Sequence, residues 1–379
     1  MDFALTEDQD AVRDLAARIL GDLVTVDRLR QLESGPEWLD RSTWSAMARS
    51  HLVDVSLPDG VGGSGLGLLE TCLVLEQVGR TLAHVPMLSS IVAGALPVAR
   101  FGTDAQREQL LPAAARGETI LASALEDPDT SITGHDVRTA RTATGWRLDG
   151  HASRVAGGTF ADVLLVPARA EDGAVTVFLV PTDAEGLALA PVRTTNREPE
   201  ADLVLTGVEV AADAVLGDPG AGDEVVAWAR ARVVVGLCAT QLGVLHRALE
   251  LMAEYTSERE AFGRPLAHNQ AVRQRVADCY IDVEAVRLTL WQAIWALESG
   301  GPAESQVAVA KFWCAEAGHR VGHAAVHLHG GVGVDVEHPV HRYFIGAKKN
   351  EFTLGNASQQ LSAIGALLAD ESTPIGIEA

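Results

Sequence analysis

Arg259 carries the first usable chemistry in this chain. It sits in Ser257-Glu258-Arg259-Glu260-Ala261-Phe262-Gly263-Arg264-Pro265-Leu266, which runs on to Asn269-Gln270. A guanidinium presents a planar fork of donors that matches phosphate oxygens, and it keeps its charge near pH 7. A second string, Val326-His327-Leu328-His329-Gly330-Gly331-Val332-Gly333, pairs two glycines. Backbone N–H groups there can approach an anion with no Cβ in the way. The first glycine also fits a helix C-cap, and because a helix precedes the pair it is not a Rossmann turn. His319, His323 and His327 recur every four residues and share one helix face, as metal ligands would. No acid or cysteine stands at matching spacing, so that face reads as structural or ligand-contacting. The neighbouring carboxylates, Glu258, Glu260 and Glu351, follow no pattern that places them over a substrate.

Three kinds of stretch must position these residues. To about residue 118 the apolar spacing is helical, broken at Pro58-Asp59-Gly60-Val61-Gly62-Gly63-Ser64-Gly65 and resumed by a helix from Leu68 to a stop at Gly79. Between about 119 and 222 the runs are short and β-rich: 146–150, 163–167, 175–181 and 203–205, each bounded by Gly, Pro or Asp. These predict a small antiparallel barrel or sandwich, with 217–223 as the connection back to helices. From 223 to 379 the pattern is helical again. There Ile281, Ala285, Leu288, Trp291 and Trp295 make one stripe, and Val283, Val286, Leu290, Ile294 and Leu297 a second. A helix apolar on two faces belongs in a bundle core or between subunits, so an oligomer is expected.

Composition narrows the function classes. At 379 residues, 47% hydrophobic and 21% charged, the chain suits two or three packed domains and a sizeable core. Thirty basic against fifty-one acidic residues leave a formal charge of −21, which argues against nucleic acid or anionic lipid as partners. A phosphate-bearing ligand must therefore find local arginines. The acidic start lacks the basic and apolar regions of an export signal, and no uninterrupted apolar run approaches bilayer length, so a cytoplasmic place is expected. Cys72, Cys238, Cys279 and Cys314 lie far apart with no CxxC pair and read as reduced core thiols.

The order of helical, β and helical stretches, together with three motifs, resembles the acyl-CoA dehydrogenase family nearly end to end. The motifs are Leu57-Pro58-Asp59-Gly60-Val61-Gly62-Gly63-Ser64-Gly65-Leu66-Gly67 with Glu76-Gln77-Val78-Gly79-Arg80, the Arg259 string, and the Gly330-Gly331 string. The resemblance implies an α+β multidomain fold: an N-terminal helical domain over 1–118, a middle antiparallel β domain over 119–222, and a C-terminal four-helix bundle over 223–379. It also implies FAD as cofactor and an acyl-CoA substrate. Arg259, Phe262, Gln270, His327, His329, Gly330 and Gly331 become the residues that reach the ADP part of FAD in a neighbouring subunit. His327 stands where the family has glutamine, which keeps a donor but changes its geometry.

The departures from the family are as informative. Thr353-Leu354-Gly355-Asn356 occupies the place of a Tyr-Glu-Gly-Thr motif that supplies the catalytic base, and an alkyl side chain accepts no proton. The earlier helix position used by some members falls near Arg232-Val233-Val234, also without a carboxylate. Leu125-Glu126-Asp127-Pro128 and Ala152-Ser153-Arg154-Val155-Ala156-Gly157-Gly158 replace the segments that meet the flavin ring. What remains belongs to the part of the site that crosses to the next subunit; what is missing belongs to the part held within one subunit. The resemblance thus narrows to the non-base subunit of the heterotetrameric (α2β2) acyl-CoA dehydrogenases of bacterial steroid side-chain β-oxidation. Its expected partners are a homologous dehydrogenase subunit and an electron-transfer flavoprotein-like acceptor. Two alternatives stand beside it: a self-sufficient homotetramer with a non-standard base such as Glu351 or Glu258, and a flavin-free scaffold of the same fold.

Overall fold

A computed structural model describes residues 4–35, 37–125, 135–261 and 263–369. The first stretch is helical: α1 (Glu7–Leu23), α2 (Val26–Ser34), α3 (Arg41–Arg49), α4 (Leu68–Thr81), α5 (Leu96–Phe101) and α6 (Asp104–Ala115). Strands follow: β1 (Leu121–Ser123), β2 (His135–Arg141), β3 (Gly145–Ala156), β4 (Val163–Arg169), β5 (Val175–Pro181), β6 (Leu187–Arg193), β7 (Pro199–Ala211) and β8 (Val215–Leu216). Helices return with α7 (Gly222–Glu258), α8 (Gln270–Glu298), α9 (Glu304–His329), α10 (Val340–Phe352) and α11 (Ala357–Ala369), interrupted by the two-residue strands β9 (Glu260–Ala261) and β10 (Arg264–Pro265).

The described residues gather into two compact units. One takes its residues from 1–31, 72–83 and 234–379, the other from 32–71 and 84–233. In the second, the strands order as β6-β7-β3-β2-β4-β5-β8, with β1 beside β4. The pairings are antiparallel except β1 with β4 and β2 with β4, so the sheet is mixed where alternation alone predicts an antiparallel one. Leu148, Leu164, Val166, Phe178, Val180, Leu203 and Val208 fill its core. Thr103 and Gln106 cap α6 reciprocally, and the Gln106 amide also donates to the carbonyls of Asp213 and Val215, which ties that helix to the start of β8.

In the first unit, α9 packs against α8, α10 and α11. Small buried residues along it, among them Ala310, Ala315, Gly318, Gly322 and Ala325, let its neighbours come close. Gly79 does not end α4. A Cβ there would strike the Thr240 carbonyl, and one at Gly243 would strike the Glu76 carbonyl, so the two glycines permit backbone-to-backbone crossing of α4 and α7. The four cysteines are buried and none is in a disulfide. By length and composition α7 could cross a bilayer, but 61% of its most apolar stretch is buried inside the protein, as in a core helix.

Candidate functional site

Helix α7 delivers Arg259. Its N–H makes the last helical bond, to the Tyr255 carbonyl at 2.8 Å, and its own carbonyl accepts from Leu266 N–H at 2.9 Å. Between these, β9 and β10 pair antiparallel around Gly263, whose φ of +76° demands glycine. This hairpin returns the chain to Asn269 and Gln270, where α8 begins. Arg259 is exposed, and its guanidinium has no hydrogen bond or ion pair among the described residues. Gln270 is exposed at the helix N-terminus, where the dipole favours an anion. Phe262 lies outside the described residues.

The second string closes α9. Gly330 caps the helix with φ +61° and ψ −138°, and at Gly330 and Gly331 a Cβ would meet open space. Gly333 differs, being buried where a Cβ would strike the Val326 carbonyl. His327 is exposed. His329 is only 2% exposed, and its ring turns inward. It stacks on Tyr255 at 4.4 Å between centroids and approaches His338 at 5.0 Å, so the Arg259 hairpin and the glycine turn are held together by a ring contact. Tyr255, four residues before Arg259, carries no motif, and its position one helical turn from the string is its only sequence signal; His338 stands one loop beyond the glycines.

The remaining histidines share an exposed face of α9 as their spacing predicts, with His319 and His323 rings 4.6 Å apart. They border a cleft of about 540 Å³ lined by Arg275, Asp278, Ile281, Asp282, Arg320 and His323. No group of three or more metal-ligating side chains occurs among the described residues.

The loop after α10 is closed. Leu354 is 9% exposed and adopts φ +56°, a left-handed conformation that is unusual for a bulky residue. Glu351 is tied to Lys348 Nζ at 2.6 Å, with His319 Nδ1 3.5 Å from its other oxygen. Beneath them lies fully buried Lys311, whose Nζ donates to the carbonyls of Asn350 and Glu351 at 3.1 Å and so caps the end of α10. Sequence reading passes over Lys311, since nothing in its neighbours marks a buried lysine. Glu258 and Glu260 are exposed.

In the other unit, residues 152–158 lie on β3 and the turn after it. Ala152 and Val155 point into the sheet core, a register shift separates them, and Arg154 at φ +54° is held by its N–H to Asp202 at 2.8 Å. None of these residues is aromatic. Glu126, Asp127 and Pro128 lie outside the described residues. A cleft of about 1010 Å³ in this unit is lined by Asp183, Glu185, Glu209 and Asp213 with no lysine or arginine, which suits no phosphate-bearing ligand. A guanidinium with no partner among the described residues, and glycines that leave room for backbone donors, therefore fit a diphosphate, whereas residues 152–158 offer no side chain to stack on a flavin ring.

Two family models match: the acyl-CoA dehydrogenase N-terminal domain over residues 6–118 and the acyl-CoA dehydrogenase C-terminal domain over 220–368. The chain is 41% identical over 378 residues to acyl-CoA dehydrogenase FadE27 of Mycobacterium tuberculosis, covering 98% of this chain and 99% of that one. A solved structure of the ChsE4-ChsE5 complex from Mycobacterium tuberculosis superposes with TM-score 0.92 at 41% identity, over 98% of this chain and 99% of its counterpart. A variant of the Tcur3481-Tcur3483 steroid ACAD gives TM-score 0.88 at 40% identity, over 96% and 98%.

Proposed function

Because this chain belongs to the acyl-CoA dehydrogenase family, we propose that it serves as the non-base subunit of a two-protein dehydrogenase, gripping the ADP half of FAD while a homologous partner supplies the base and houses the flavin ring. The observation that carries this reading is a division within one chain. Leu354 fills the base position and Glu351 is already ion-paired, yet Arg259 stands exposed with no partner among the described residues, and the Gly330-Gly331 turn leaves open space. The three-part division at 118/119 and 222/223 belongs to the same reading.

The reaction is removal of two hydrogens from an acyl-CoA thioester to give a trans-2-enoyl-CoA. FAD supplies the two-electron acceptor for the β-carbon. The partner's carboxylate takes the α-proton. Arg259 would hold the pyrophosphate together with the N–H groups of Gly330 and Gly331, with Gln270 and His327 serving the adenosine part. Electrons leave to an electron-transfer flavoprotein-like acceptor, in the cytoplasm. The likeness to a steroid ACAD supports a steroid side-chain CoA as substrate.

Co-expression with an adjacent acyl-CoA dehydrogenase gene, followed by flavin absorbance and dye reduction, tests this. A yellow heterocomplex that turns over, with each chain alone inactive, is expected. Full turnover by this chain purified alone would overturn it.

A further inference from the structure

We propose that Tyr255, His329 and His338 are positioning residues forming a latch, in which His338 donates a hydrogen bond to His329 as the 330–339 segment tightens over a bound ADP group. This rests on the ADP-clamp reading above and assigns its moving part. At 2% exposure His329 reaches no ligand itself, so its identity needs another reason.

The protonation pattern follows from the partners. His329 Nδ1 lies 2.7 Å from the Ala325 carbonyl, which can only accept, so the proton sits on Nδ1. The neutral ring then turns a bare acceptor, Nε2, into the interior, where it is buried with no hydrogen-bond partner among the described residues. A phenylalanine would fill the same volume without that acceptor. His338 is the complement. The Val340 N–H donates to its Nδ1 at 3.3 Å, so its own proton sits on Nε2 and is available to give. The two rings are 5.0 Å apart and tilted by 54°, a donor and an acceptor one ring rotation from meeting.

The backbone permits that movement. Gly330 at φ +61° and Gly331, with open space around both, flank the start of the segment. On its other face His329 rests on Tyr255, whose carbonyl holds the Arg259 N–H at 2.8 Å. Closing the histidine pair therefore fixes the turn against the hairpin that carries Arg259.

Few charged groups compete. Toward His329, α7 presents Tyr255, α9 its own Ala325 carbonyl, and the segment His338; toward His338 stand Asp335 and, from α10, His341, whose Nδ1 meets the His338 carbonyl at 2.6 Å. Protonating His329 removes the acceptor, and protonating His338 removes the site that holds Val340. Burial holds both rings below the ordinary histidine value of about 6.5, so both are neutral at pH 7 and the latch weakens only as pH falls through their lowered folded values.

The test uses the FAD-loaded heterocomplex. FAD release, followed by flavin fluorescence, and amide exchange of residues 330–339 are measured at pH 8 and pH 5.5. For the natural chain release should quicken roughly tenfold at the lower pH, the loss of about one hydrogen bond. His338→Phe should release fast at both pH values, and His338→Gln, which keeps a non-titrating donor, slowly at both. His338→Phe behaving as the natural chain, or His338→Gln still titrating, would overturn the latch. The underlying reading fails separately: Arg259→Ala releasing FAD at the natural rate sinks the clamp, while exchange of 330–339 in the FAD-free chain still reports on the histidine pair.

Discussion

At the scale of single residues, Leu354 and Arg259 divide the labour. Leu354→Glu puts back the family's carboxylate, but into a position 9% exposed, with φ +56° and with the nearby Lys348 already engaged by Glu351. We expect a loss of about 1–3 kcal/mol at pH 8, no dye reduction by the isolated chain, and partial recovery of the melting temperature at pH 5, where a desolvated carboxyl is neutral. A melt unchanged between the two pH values would contradict the buried placement. Arg259→Ala predicts the opposite pattern. An exposed side chain with no partner among the described residues contributes within about 0.5 kcal/mol to folding, so the melt stays put while FAD retention by the complex falls at least tenfold. Arg259→Lys should recover only part of it, because a point charge lacks the fork. The histidines add a pH dependence. Burial depresses His84, His329 and His338, so between their folded values and about 6.5 the unfolded chain binds more protons, and stability falls as pH drops through that window. Urea midpoints at pH 8, 6.5 and 5.5 should decline in that order, and His84→Gln should flatten the decline. The occupants of these positions are legible in the sequence because motifs fix them. Their burial is not: nothing in His329-Gly330-Gly331 tells an inward ring from an outward one.

Elements show a different limit. A glycine at the end of an apolar-periodic run reads as a helix stop, and Gly79 fits that pattern. It lies inside α4 because its missing side chain is needed where the helix crosses α7, a tertiary demand that local pattern cannot express. The two readings predict opposite signs for Gly79→Ala. As a helix-interior substitution it should stabilise by about 1 kcal/mol through propensity. As a crossing point it forces a Cβ onto the Thr240 carbonyl, which is backbone and cannot swing away, at a cost of about 1–3 kcal/mol or more. The steric effect is larger, so the urea midpoint should fall, and a rise would contradict the crossing. The strands were legible where alternation or flanking Gly and Pro marked them, as in β4 and β5. The parallel pairings of β4 with β1 and β2 were not, since they join stretches far apart in sequence.

For the whole molecule the open question is what covers α8. Of its two apolar stripes, Val283, Val286, Leu290 and Ile294 are buried within their own unit, while Ile281, Leu288 and Trp295 are 64%, 43% and 57% exposed. Those three are seven residues apart, so they form a single seam of the kind that meets another helix. A chain of charge −21 resists casual self-association, so leaving such a seam in water implies a specific cover. Under the two-subunit reading that cover is a neighbouring chain. Ile281→Lys with Leu288→Lys then makes a sharp test, because both side chains already face solvent in the single chain. The double variant should fold with an unchanged melt and circular dichroism, yet elute as a monomer when co-expressed with its partner, and lose bound FAD as a consequence. A double variant that still assembles and stays yellow would place the subunit contact elsewhere and remove the main reason for reading α8 as an interface helix.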